Sequence, residues 1–272
     1  MKDLKIKDAT IPALGFGTYQ LTGDTARRLV GAALNTGYRH IDTAQMYENE
    51  EAVGSGIKTS GVSRQEVFLT TKVLPSNLAS KDFLPSVEQS LRKLQTDAVD
   101  LLLIHWPNPE VPVEEYIGEL VKAQEKGYTK HIGVSNHTTA LLDKVLATGA
   151  NIVTNQVEYH PFLNQDKLYN YLRNHDLALT AYSPIAHGKV MGNETLKQIG
   201  EKYNKNEVQI TLRWLIQQDG VLAIPRSSKE NHMQSNFNVF DFELTQDEVQ
   251  QITQLTQANN RLIDPGFAPD WD

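Results

Sequence analysis

Val99-Asp100-Leu101-Leu102-Leu103-Ile104-His105-Trp106-Pro107 sets a short apolar run directly in front of a reactive side chain. The run is far shorter than the roughly 20 residues a membrane helix needs, and its length suits a buried strand. Read outward in both directions, the chain repeats this unit. Ala13–Phe16, Arg39–Ile41, Val67–Thr70, His131–Val134, Ile152–Thr154, Ala178–Ala181 and Val221–Ile224 are further apolar runs, each followed by polar residues and then a helical period. With Val99–Ile104 they make eight strand–helix units. The intervening helices are amphipathic. Ala26, Leu29, Val30, Ala33 and Leu34 form one stripe, and Phe83, Leu84, Val87, Leu91 and Leu94 form a similar one.

Eight such units close into a barrel or, less often, form an open doubly wound sheet. The placement of reactive side chains favours the barrel. Asp42, Lys72, His105, Ser135 with Asn136, Gln156, Tyr182 and Arg226 all stand just past the ends of apolar runs. In a barrel these positions share the C-terminal face, where such folds keep their sites. The expected architecture is therefore a (β/α)8 TIM barrel of the α/β class. No Ser/Gly/Pro-rich linker interrupts the sequence, so residues 1–272 are expected to form a single barrel domain. Leu4, Ile6 and Ile11 around Asp8-Ala9 predict a short N-terminal hairpin closing the base. An extra helix and loop are expected at the C-terminus, where Thr245 and Glu248 form a capping box and Leu244 can staple onto Val249. Gly37 and Gly127 are expected to stop two other helices in the left-handed conformation.

Composition removes several classes of function. Lys+Arg 26 against Asp+Glu 33 leaves a net charge of −7, and no long basic run offsets it, which argues against nucleic acid as a partner. No apolar stretch suits a membrane, and the opening Met-Lys-Asp-Leu-Lys carries no leader-like core; a soluble, cytoplasmic protein is expected. With no cysteine there is neither disulfide nor thiolate chemistry, and the 8 histidines are dispersed without a His-x-His pair, so no metal site is expected.

Four residues read together as chemistry. A phenol titrates near 10 in water, too high for an effective donor at neutral pH, and an adjacent ammonium favours phenolate and lowers that value. Lys72 supplies such a cation, Asp42 on the preceding strand its counter-ion, and Tyr47 the phenol. Neutral His105 then donates a hydrogen bond to a substrate oxygen. Any one of the four alone is an ordinary strand-end polar residue. Together they describe a site that polarises a carbonyl and protonates it.

Asp42-Thr43-Ala44-Gln45-Met46-Tyr47-Glu48-Asn49-Glu50, Thr71-Lys72 and Leu103-Ile104-His105-Trp106-Pro107 resemble the aldo-keto reductase family. So do Gly15-Phe16-Gly17-Thr18, Gly133-Val134-Ser135-Asn136, Asn155-Gln156-Val157-Glu158-Tyr159-His160-Pro161 and Tyr182-Ser183-Pro184, so that the resemblance spans nearly the whole chain. It implies a barrel binding NADPH (NADP+) without a Rossmann domain or metal, in keeping with the lack of a Gly-x-Gly-x-x-Gly motif after Gly15. By the same resemblance Tyr47 is the general acid, Lys72 and Asp42 tune it, and His105 orients the carbonyl. Tyr182 would stack on the nicotinamide, while Ser135, Asn136 and Gln156 hold its carboxamide. Gly17, Thr18, Asp42 and Ser183 complete that wall, and Arg226, Ser227, Ser228, His232 and Asn236 form the phosphate end at the last strand and following helix. The chain departs from the family there: Arg226 replaces the usual lysine, His232 an arginine and Ser235 a glutamate, while His137 replaces a phenylalanine. NADPH is still expected over NADH.

Within the family, the compact length and the short Arg261–Asp272 segment, ending Pro269-Asp270-Trp271-Asp272, look most like bacterial 2,5-diketo-D-gluconate reductases. This implies small carbonyl substrates such as that diketo acid, methylglyoxal and similar α-dicarbonyls, with Tyr19, Met46, Trp106 and His187 at the pocket mouth. The protein is expected to act as a monomer. Two other readings use the same residues: a Schiff-base aldolase with Lys72 as nucleophile, and a non-catalytic NADPH-binding redox sensor. A two-carboxylate glycosidase has only Asp42 and Glu158 to offer.

Overall fold

The computed structural model describes residues 2–272. A two-stranded antiparallel hairpin, β1 (Asp3–Ile6) and β2 (Ala9–Pro12), precedes the main sheet as expected. Eight parallel strands follow in chain order: β3 (Phe16–Gly17), β4 (His40–Asp42), β5 (Phe68–Val73), β6 (Val99–Ile104), β7 (Thr129–Ser135), β8 (Ile152–Glu158), β9 (Ala178–Tyr182) and β10 (Val221–Ala223). Each pairs with its neighbour in sequence, and parallel bridges Leu14–Ala223 and Gly17–Arg226 join the first strand to the last. The sheet thereby closes on itself. The hairpin lies at the N-terminal end of the strands, where Lys7 Nζ donates to the carbonyl of Ile152 at 2.7 Å.

Helices wrap this sheet: α1 (Gly23–Thr36), α2 (Glu50–Thr59), α3 (Ser80–Leu94), α4 (Val113–Glu125), α5 (Thr139–Ala147), α6 (Asp166–Asn174), α7 (Glu194–Tyr203), α8 (Glu207–Gln217), α9 (Glu230–Phe237) and α10 (Gln246–Gln254). The buried residues of α1 are Ala26, Leu29, Val30, Ala33 and Leu34, the stripe its sequence predicts. In α3, Phe83, Val87, Leu91 and Leu94 are buried while Leu84 is only partly covered. Gly37 ends α1 at φ 120°, and Gly127 follows α4 at φ 76°. Thr245 and Glu248 form the capping box of α10. Two helices exceed the one-strand, one-helix count: α7 and α8 both lie between β9 and β10, and α9 and α10 both follow β10.

The strand boundaries need correction, and the reason is functional. Instead of Ala13–Phe16, the first strand is reduced to Phe16–Gly17, because this segment divides its hydrogen bonds between β4 and β10: Gly15 N donates to Ala223 O and Gly17 N to Pro225 O. A side chain does not fit this seam, since a Cβ on Gly15 would lie 2.9 Å from the His40 ring and one on Gly17 would lie 2.9 Å from the Ile224 carbonyl. Conversely, Asp42, Lys72, Ser135, Gln156 and Tyr182 stand inside the C-terminal ends of their strands rather than beyond them. Polar residues extend these strands because their side chains point into the barrel and find one another there.

Candidate active site

Lys72 and Asp42 are almost wholly buried, at 0% and 1% exposure, in the upper lumen. Burial of either charge alone would be prohibitive. Lys72 Nζ donates to Asp42 Oδ1 at 2.6 Å, to the Thr43 carbonyl at 2.8 Å and to the Tyr47 hydroxyl at 3.3 Å. Across the barrel, Gln156 Nε2 donates to Asp42 Oδ2 at 2.8 Å. The carboxylate is thus shared by β5 and β8. All three ammonium protons have acceptors, so a Schiff base at Lys72 would first have to break its contacts with Asp42, Thr43 and Tyr47, which weighs against the aldolase reading.

Tyr47 ends a short 3-10 turn, Gln45–Tyr47, that leaves β4. Its neighbours Gln45, Asn49 and Glu50 fix this turn. Gln45 Oε1 accepts from Leu74 N and Asn77 Nδ2, and its Nε2 donates to Ser86 and Ser90. Buried Asn49 accepts from Thr43 Oγ1 and donates to the Thr18 and Leu21 carbonyls at 2.8 Å each. Behind them the buried Glu50 carboxylate accepts from Thr71 Oγ1 at 2.6 Å. The turn carrying the phenol is consequently held by side chains of β5 and α3 and by backbone carbonyls of the loop after β3.

The expected direction of the Tyr47 titration is corrected. Burial, then the Asp42 carboxylate, push its phenol well above 10, and the ammonium does not prevail. Asp42, 2.6 Å from Nζ, opposes the cation's field at the phenol. Tyr47 is therefore fully protonated at neutral pH, and Lys72, by donating to the phenol oxygen, turns the phenol's own proton towards other acceptors. His105 follows β6, with its ring edge-on to Tyr47 at a centroid distance of 5.5 Å. Burial and the Lys72 charge hold its imidazole well below the usual range, so it is neutral. Its buried Nδ1 has no partner among the described residues.

Beside this group, β7, β8 and β9 bring Ser135, Asn136, Gln156 and Tyr182 together. Ser135 Oγ donates to the Gln156 carbonyl at 2.7 Å, and Asn136 Nδ2 donates to the His105 carbonyl at 3.0 Å and to Ser135 Oγ at 3.1 Å. Tyr182 donates its hydroxyl to Asn136 Oδ1 at 2.8 Å. Asn136 adopts φ 59°, the left-handed region that asparagine tolerates, which turns its amide across three strands. His137, the departure from the family pattern, is buried behind them. Its Nδ1 meets the Ser135 carbonyl at 2.9 Å and its Nε2 meets the Tyr116 hydroxyl at 2.9 Å, so it braces the Ser135 backbone.

The remaining candidates form two groups around the C-terminal rim. Arg226 is exposed beside Gly17 and donates Nε to the Tyr19 carbonyl at 3.1 Å. Ser227 Oγ accepts from Lys229 N, Ser228 and His232 are exposed, and Asn236 is buried on α9. Glu230, in the first turn of α9, pairs with Arg28 of α1. In the second group the Tyr19 ring lies 5.1 Å from Tyr47, and Met46, beside Tyr47 in its turn, is exposed. Trp106 is covered rather than open: Phe267 and Trp271 pack edge-on against it at 5.4 and 6.0 Å. His187 does not join this group. It bonds Ser183 at 3.2 Å in the loop after β9, where Ser183, Ala186 and His187 all have positive φ.

The C-terminal segment is anchored by contacts that the sequence does not reveal. The Glu158 carboxylate, fully buried, takes the Leu262 and Ile263 amides at 2.8 Å each and His160 at 2.9 Å. It is a clasp, not a glycosidase acid. Asp272 then accepts from Thr139 N and Oγ1, fastening the far end. No group of three or more His, Asp or Glu side chains fit to hold a metal occurs among the described residues, and none of their helices is long and apolar enough to cross a membrane.

The site fits a nicotinamide dinucleotide: an unpartnered buried imidazole nitrogen, amide and hydroxyl groups of β7 and β8, and cations at the start of α9 lie along one rim. Comparison with known proteins points the same way. The sequence model of the Aldo/keto reductase family matches residues 13–257. Methylglyoxal reductase DkgB of Escherichia coli O157:H7 is 42% identical over 267 residues, 96% of this chain and 99% of that protein. A crystal structure described as a 2,5-diketo-D-gluconic acid reductase B superposes with a TM-score of 0.98 at 44% identity, covering 100% of this chain and 98% of the other. The Bombyx mori aldo-keto reductase, solved in complex with NADP, gives a TM-score of 0.89 at 33% identity, covering 97% and 95% of the two chains.

Proposed function

The chain belongs to the aldo/keto reductase family and is an oxidoreductase, and from that premise we propose that it reduces small aldehydes and ketones, α-dicarbonyls among them, with NADPH. The observation that carries this reading is the buried Asp42–Lys72–Tyr47 chain with neutral His105 at its end. When bound, the cofactor would supply the hydride for the carbonyl carbon; everything else falls to the protein. Tyr47 and His105 aim two donors at the carbonyl oxygen, where negative charge grows as the hydride arrives. Tyr47 gives up its proton to that oxygen, and the phenolate left behind is stabilised by the Lys72 ammonium already donating to it. Asp42 keeps Lys72 charged in a place where burial lowers its pKa. Ser135, Asn136 and Gln156 would receive the carboxamide, Tyr182 the nicotinamide ring, and Arg226 with the start of α9 the phosphates. Methylglyoxal and 2,5-diketo-D-gluconate, the compounds in the relatives' names, are the first substrates to try.

The test is consumption of NADPH and of NADH, followed separately, with methylglyoxal, the diketo acid and simple aldehydes. Carbonyl-dependent oxidation of NADPH, faster than of NADH, is expected. Tight cofactor binding without turnover on any carbonyl would contradict the proposal and leave a redox sensor.

A further inference from the structure

His137 stands where the resemblance expects a phenylalanine, and the reaction as derived above makes no use of it. Its backbone is pinned by Asn155 of β8: the His137 amide donates to Asn155 Oδ1 at 3.4 Å, and Asn155 Nδ2 donates to the His137 carbonyl at 2.7 Å. The imidazole reaches back two residues to the Ser135 carbonyl through Nδ1, and its Nε2 meets the buried hydroxyl of Tyr116 on α4. A carbonyl can only accept, so Nδ1 carries the proton and Nε2 accepts from the phenol. Burial holds the imidazole down to about 4, and this one neutral tautomer is kept throughout the neutral range.

Both ring nitrogens are therefore committed, and the residue between the two anchors takes the consequence. Asn136 is held at φ 59°. From there its amide reaches the ends of neighbouring strands, donating to the His105 carbonyl and accepting from the Tyr182 hydroxyl, while Ser135 Oγ donates to the Gln156 carbonyl. Filling the space beside Tyr116 needs only an apolar ring, which a phenylalanine would supply. The imidazole adds a polar tether on the one turn that joins His105, Gln156 and Tyr182.

We propose that His137 is a positioning residue for the cofactor: it locks the Ser135–Asn136 turn, so that the groups that receive the nicotinamide carboxamide are in place before the dinucleotide binds. This rests on the reductase reading and adds to it the residue that preorganises the nicotinamide wall. A turn already set loses little conformational freedom when the ligand arrives, and loosening it lowers affinity without removing any group that touches the ligand.

The experiment separates the tether from the packing by comparing the wild type with His137→Asn, His137→Phe and the double variant His137→Phe, Tyr116→Phe. NADP+ binding is followed by tryptophan fluorescence and stability by chemical denaturation without cofactor. Asparagine carries an N–H in the place of Nδ1 but leaves the Tyr116 hydroxyl unpaired, so His137→Asn is expected to lose stability and to keep NADP+ affinity within about twofold. The double variant replaces both buried partners by apolar rings; its stability should stay near that of the wild type while NADP+ binds about five- to tenfold more weakly, the loss of one tethering hydrogen bond. The KM for NADPH should rise in step and the KM for the carbonyl should change by less than about twofold. His137→Phe alone should lose both stability and affinity, and if it folds poorly the double variant carries the comparison. Wild-type NADP+ affinity in the double variant, or affinity that follows stability across all the variants, would overturn the assignment and leave His137 as a packing residue. Failure of the wild type to bind NADP+ would instead overturn the reductase reading, and the assignment with it.

Discussion

Lys72 keeps a full charge inside the barrel because three oxygens surround its Nζ and one of them is a carboxylate that β8 also holds. Truncating such a pair on one side leaves the other charge buried and alone. Lys72→Met is accordingly expected to lose about 3–5 kcal/mol of stability, read by chemical denaturation, together with its turnover. The double variant Lys72→Met, Asp42→Asn should regain most of the stability and none of the activity, which separates the structural cost from the chemical one. At the same C-terminal rim, Arg226 is exposed and tied to the Tyr19 carbonyl. Arg226→Ala should raise the KM for NADPH several-fold more than that for NADH; an equal effect on both would mean that Arg226 does not meet the 2′-phosphate. Three of the four central residues, Asp42, Lys72 and His105, are legible in the sequence because each follows an apolar run, and Tyr47 stands five residues beyond Asp42. The direction of the Tyr47 titration is not, because it depends on how closely Asp42 screens Lys72 and how deeply both are buried.

Secondary-structure elements divide into those that announce themselves and those that do not. The α1 stripe, the α10 capping box and the hairpin are periodic or capped locally, so the sequence shows them directly. The C-terminal ends of β5 and β8 are hidden, since Lys72 and Gln156 look like the end of a strand until their partner across the lumen is known. The Arg261–Asp272 segment is hidden more completely. It has no period and no secondary structure of its own, and its order comes from a carboxylate more than a hundred residues away. Glu158→Gln keeps the size and removes the charge that two amides share. The segment should then detach, giving rapid cleavage between residues 259 and 272 in limited proteolysis while the barrel stays intact; unchanged resistance would mean that the aromatic contacts of Phe267 and Trp271 hold the segment by themselves.

Over the whole molecule, burial keeps several histidines neutral, and this couples stability to pH. His137 is depressed to about 4, and His40 and His105 are shifted in the same direction. In the unfolded chain an imidazole takes up its proton near 6.5, so between that value and about 4 the unfolded state binds the extra proton. Stability present at pH 7 is therefore lost as the pH falls through this window, by roughly 3 kcal/mol from His137 alone. Glu50, raised by burial, works in the opposite sense and softens the slope. Denaturation at pH 7.5 and pH 5 should show the loss, and His137→Phe should shrink it. The barrel otherwise serves to bring β4, β5 and β6 to one rim, where the Tyr47 phenol, the Lys72 ammonium and the His105 imidazole meet. Tyr47→Phe tests that meeting point most directly, through NADPH affinity measured by fluorescence and hydride transfer measured in a single turnover. NADPH affinity within about twofold of the wild type and hydride transfer slowed by about a hundredfold or more are predicted, since only the proton donor is removed. Hydride transfer at the wild-type rate would contradict the assignment of Tyr47 as the acid.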